Sequence, residues 1–121
     1  MKKISPRIHG FLDYITVLFL FISPSLFGMQ RNAATFTYVL GFIHLTLTLC
    51  TDFEGGVFKI VSFIVHGIIE VLVSVLLIGI AIWFMLSGDN VSFYFYLTFS
   101  VVLFIVWARS DYKSVSRKKS L

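Results

Sequence analysis

The segment IHGFLDY, residues 8–14, sets His9 and Asp13 four positions apart, and VHGIIEV, residues 65–71, sets His66 and Glu70 at the same spacing. Positions four apart share one face of an α-helix, so each pair stacks an imidazole against a carboxylate. His44 lies on a third polar stripe, Thr37, Gly41, His44, Thr48 and Thr51. Two imidazoles and two carboxylates form a donor set for a divalent metal such as zinc, iron or manganese, with His44 as a further ligand. The same groups suit a proton or cation relay, or interhelical hydrogen bonds that fix the register of a bundle. Axial ligation of a haem is the least favoured use, since carboxylates would then face a largely apolar cofactor. Spacing does not choose among the others.

Familiar enzyme signatures are missing from the sequence: it has no nucleophile elbow, no phosphate-binding loop and no zinc-protease helix pattern. Cys50 is the single cysteine, which excludes an intramolecular disulfide and a cysteine metal cluster. The reading that follows is a non-enzymatic module.

The elements that must position these residues are membrane helices. With 58% hydrophobic and 17% aromatic residues in 121 positions, the chain is too apolar for a soluble domain of its size. Four segments, 8–28, 34–51, 62–86 and 91–108, each have the length and apolarity a bilayer requires. The first is longer than a signal-peptide core and is interrupted by His9 and Asp13, so it reads as an anchored span. In lipid the polar stripes turn inward, carrying Thr16 and Ser23 beside the first pair and Ser74 and Ala81 beside the second. Tyr96, Ser100 and Asp111 form a weaker fourth stripe.

The net charge of +4 is distributed as a topology signal and not as a nucleic-acid surface. Lys2, Lys3, Arg7, Lys59, Arg109, Lys113, Arg117, Lys118 and Lys119 occupy the two ends and the middle connection, whereas Arg31 alone falls in the other connections. The positive-inside rule therefore predicts cytoplasmic N- and C-termini and a basic cytoplasmic tail over 113–121. The expected partners are the lipid bilayer and a second copy or a membrane complex. Tyr38, Trp83, Tyr94 and Tyr96 are expected in the outer aromatic belt, with Trp107 and Tyr112 in the inner one.

Residues 5–15, SPRIHGFLDYI, align with 62–72, SFIVHGIIEVL, at one constant offset, and TLCTDF (48–53) resembles VWARSDY (106–112) with Asp52 opposite Asp111. This predicts an all-α membrane protein of four transmembrane helices in two tandem, parallel-repeat hairpins. The first hairpin spans 1–54 and the second 55–112. Ser5 with Pro6, and Ser62, are the expected helix starts. EGGVFKI, residues 54–60, is expected as a flexible turn. Ser23 and Pro24 predict a bend that closes the far end of the first helix.

His9, Asp13, Ser23, Pro24 and Gly28, together with TDFE at Thr51 to Glu54, resemble the SPW repeat family of small bacterial integral membrane proteins. The second half has Ile80 and Ala81 where Ser-Pro would fall. The resemblance implies tandem helical hairpins in a bacterial inner membrane and supplies no activity. The resulting expectation is a ligand- or metal-binding or scaffold module built on His9, Asp13, His44, His66 and Glu70. The alternative is an oligomeric transporter-like or proton-conducting protein using the same cluster.

Overall fold

A computed structural model describes residues 3–115. Its four helices are α1 (Pro6–Leu26), α2 (Arg31–Cys50), α3 (Phe63–Leu86) and α4 (Asn90–Arg109). Each is long and apolar enough to cross a membrane. The starts of α1 and α3 are set by side-chain caps: the Ile8 amide donates to Ser5 Oγ at 3.3 Å and the Val65 amide to Ser62 Oγ at 3.1 Å. Pro6 occupies the first turn of α1, where no amide is needed. Helix α2 begins at Arg31, ahead of the expected position 34.

The helices pack mainly as α1 on α2 and α3 on α4. The faces they bury are the polar stripes. His9, Asp13, Ser23, Thr37, Thr48, His66, Glu70, Ser74 and Ser100 are all buried. Phe11, Leu18, Phe42, Leu72, Val75 and Leu76 are exposed, so the outer surface is apolar. Contacts between helices include Ser100 Oγ donating to the Ser74 carbonyl at 2.5 Å, and a hydroxyl pair of Thr37 with Tyr96.

Tyr96 departs from the expected outer belt. It is fully buried among Ala33, Leu77, Ala81 and Phe84, because its hydroxyl finds Thr37 in the interior. Trp83 and Tyr94 are exposed at that end.

The middle connection is also more ordered than a flexible turn. Thr51–Asp52 (β1) pairs in parallel with Val61–Ser62 (β2), and the Ile60 amide donates to the Cys50 carbonyl at 2.9 Å. Ile4 and Ser110 make the corresponding parallel bridge, with the Ile4 amide on the Arg109 carbonyl at 2.7 Å and the Asp111 amide on the Ile4 carbonyl at 2.9 Å. These bonds satisfy backbone groups that the helix ends leave open. They also hold the beginnings of α1 and α3 beside the ends of α4 and α2. Of the basic tail over 113–121, residues 116–121 lie outside the described residues.

Candidate metal centre

The start of α1, the start of α3 and the later turns of α2 bring His9, Asp13, His44, His66 and Glu70 into one cluster. Helical spacing stacks His9 over Asp13 with Nε2 and Oδ1 3.4 Å apart, and His66 over Glu70 with Nε2 and Oε2 4.0 Å apart. Contacts across the bundle are as close: His9 Nε2 lies 3.3 Å from His66 Nε2 and 3.4 Å from Glu70 Oε2, and His66 Nε2 lies 3.3 Å from Asp13 Oδ2. His44 Nε2 approaches Asp13 Oδ1 at 3.4 Å from the α2 side. Both His9 and His66 are completely buried. Ser23 and Pro24 are not part of the cluster; they lie about 20 Å along α1 at about 1.5 Å per residue. There Ser23 Oγ donates to the Phe19 carbonyl at 2.6 Å.

Two hydroxyls orient the histidines. Ser110 Oγ donates to the Val106 carbonyl at 2.6 Å and stands 2.7 Å from His9 Nδ1. Thr51 Oγ1 donates to the Leu47 carbonyl at 2.6 Å and stands 2.8 Å from His66 Nδ1. A hydroxyl has one proton, and a carbonyl can only accept. Each Nδ1 must therefore carry its own proton and donate it to the hydroxyl. An imidazole held this way, when neutral, turns its Nε2 lone pair into the cluster, the arrangement that outer-sphere partners of metal-bound histidines enforce.

Glycine permits a close packing on both sides of the cluster. A Cβ on Gly67 would stand 2.8 Å from the Tyr112 ring, and one on Gly10 would stand 3.1 Å from the Phe53 ring. Tyr112 thus reaches in and donates its hydroxyl to Glu70 Oε2 at 2.5 Å. Burial first, then the charge of Glu70 and that hydrogen bond, push the Tyr112 phenol above the ordinary tyrosine range. Tyr112, expected in the inner aromatic belt, lies just beyond the end of α4 and is half-buried, with its hydroxyl on the carboxylate. Phe63 packs against His9 with ring centroids 5.0 Å apart, and Phe53 against His66 at 5.9 Å.

His9, His66 and Glu70 offer one ligand atom each within a common span of 4.8 Å. Metal bonds of about 2.0–2.2 Å place tetrahedral ligands about 3.3–3.6 Å apart. Octahedral neighbours at about 2.1 Å bonds would stand only about 3.0 Å apart. The edges of 3.3 and 3.4 Å match the tetrahedral spacing, and the His66–Glu70 edge of 4.0 Å is wider than it. A haem does not fit, since carboxylate oxygens occupy the space beside both Nε2 atoms where the porphyrin would lie.

Thr51 belongs to the polar stripe of α2 and Tyr112 to the expected inner belt, but those patterns did not place either of them, or Ser110, against the histidines and Glu70. All three flank Asp52 and Asp111 in the two matched segments. Reading the whole register, Thr51 against Ser110 and Phe53 against Tyr112, would have found them. No family model, curated protein or solved structure matches the chain.

Proposed function

We propose that the protein is a multi-pass membrane protein of two tandem helical hairpins that holds a divalent metal ion, zinc by geometry, on His9, His66 and Glu70. Asp13 stands against both histidines as a fourth donor or as the partner of a bound water. The observation that carries the reading is the pair of Nε2 atoms converging at 3.3 Å beside two buried carboxylates. Uncompensated, that arrangement sets lone pair against lone pair and leaves carboxylate oxygens without donors; a cation relieves both. Polar interiors within an apolar surface support the membrane setting. The charge distribution supports cytoplasmic termini. A bacterial inner membrane, and kinship with the SPW repeat family, rest on the resemblance in the hairpin sequences.

A proton-conducting role is the second reading, favoured by the run of 3.3–3.4 Å contacts from His9 through His66 and Asp13 to His44. The two readings separate in one experiment. Protein purified in detergent, offered zinc, iron(II) or manganese and then desalted, should retain about one equivalent of metal, zinc in preference, on the His9–His66–Glu70 set. The His9→Ala/His66→Ala variant should retain none. Absence of bound metal from the folded wild-type protein overturns the metal reading and leaves vesicle proton flux as the measurement to make.

A further inference from the structure

We infer that the centre has a lateral port between α2 and α3, through which a neutral, membrane-dissolved molecule with a small Lewis-basic head reaches the metal. Hydroxyl, carbonyl or thiol on an apolar tail is the chemical class. The inference rests on the metal reading above, on the aromatic cap over the histidines and on the recess that reaches His66 and Glu70.

Above the histidines, at the end where α1 and α3 begin, three rings shut the bundle. Phe63 and Tyr112 stand 5.0 and 5.5 Å from the His9 ring, and Phe53 stands 5.9 Å from the His66 ring. Phe53 and Phe63 are each only 2% exposed. These rings cap the two imidazoles at that end.

Between α2 and α3 the packing parts into a recess of about 40 Å³. Its walls are aliphatic, Leu40, Val73 and Leu103 among them, and His44, His66 and Glu70 form its polar part. That volume is close to the roughly 30 Å³ that one water occupies in the liquid, so it takes a head group and no ring. Aliphatic walls reject a charged solute and continue naturally into an alkyl tail.

The polar side of this recess has unspent bonding capacity. Glu70 Oε1 is buried without a hydrogen-bond partner, and the Glu70 side chain is 2% exposed. Moreover, the register that sets Asp52 opposite Asp111 sets His44 opposite Leu103, so the extra imidazole exists on one side only. That imidazole lines the recess. A hydroxyl or thiol head binding here would form a metal–oxygen or metal–sulfur bond and give its proton to the Asp13–His44 pair.

Cobalt(II) substitution in lipid nanodiscs tests this, with dodecanethiol as the membrane-dissolved probe and 2-mercaptoethanesulfonate as its charged, water-borne counterpart. Dodecanethiol should produce a cobalt–thiolate absorption band, and the sulfonate should not. Val73→Trp and Leu40→Phe, which fill the recess, should retain cobalt while weakening the dodecanethiol response at least about tenfold. Equal response to both thiols, no response to either, or a response unchanged in both filled variants that hold cobalt overturns the port and leaves the metal reading standing. A wild-type protein that binds no cobalt and no zinc overturns both.

Discussion

His9 and His66 meet Nε2 to Nε2 at 3.3 Å, each with its Nδ1 proton already committed to a hydroxyl, Ser110 for one and Thr51 for the other. The encounter is built from both ends: helix starts deliver the rings, and helix ends deliver the hydroxyls that turn them. Positive charge between the rings is what such a meeting requires, and the tests below ask how it is supplied.

Removing the orienting hydroxyls should weaken the centre without removing a ligand. In Thr51→Val and Ser110→Ala the imidazole loses the acceptor that fixes its tautomer. Metal affinity should fall about 10–100-fold in each, the usual effect of losing an outer-sphere partner. Competition with a chelator of known affinity measures this; affinity unchanged in both variants would show that the hydroxyls do not set the ring orientation.

Neutral isosteres at the carboxylates separate structure from binding. Asp13→Asn with Glu70→Gln preserves shape and hydrogen-bonding capacity while removing both negative charges. The protein should still fold, as judged by circular dichroism, and its metal should be lost. Full occupancy in the double variant would make these carboxylates interhelical glue.

The Tyr112 phenol should stay protonated where ordinary tyrosines ionise, near pH 10. Its raised value means that the folded state holds this proton more tightly than the unfolded chain. The associated stability is complete below about pH 10 and declines as pH rises towards the folded-state value. In an alkaline titration followed by phenolate absorbance, Tyr112→Phe should leave the amplitude gained near pH 10 unchanged. Loss of a component there would contradict the placement of the hydroxyl on Glu70.

Gly67→Ala should destabilise more than Gly10→Ala, because the added methyl comes within 2.8 Å of the Tyr112 ring in one and 3.1 Å of the Phe53 ring in the other. Overpacking of this kind costs about 1–3 kcal/mol. Thermal unfolding in detergent ranks the two variants, and the Gly67→Ala penalty should shrink in a Tyr112→Ala background where the ring is gone.

Much of this arrangement was legible in the chain. Four apolar segments gave the helices, and Ser5 and Ser62 gave two of their starts, because capping is a local property that one or two residues decide. The stripe of His9 and Asp13 pointed to the buried face for the same reason that any polar stripe on an apolar helix does. What local pattern could not carry was the third dimension. Tyr96 and Tyr112 have the composition of interface anchors, and only the positions of Thr37 and Glu70 on other helices explain why both turn inward. The pairing of 51–52 with 61–62 was equally hidden, since two-residue strands leave no periodicity to read.

The short parallel ties at Thr51–Val61 and Ile4–Ser110 have a topological consequence. Taken with the tight connections at the opposite end, they make the four helices a closed circuit in which Ile4 and Ser110, distant in the chain, are joined by backbone hydrogen bonds. A circular permutant that links residue 115 to residue 3 and opens between Phe58 and Lys59, both exposed, should assemble the same centre, with the second hairpin synthesised first.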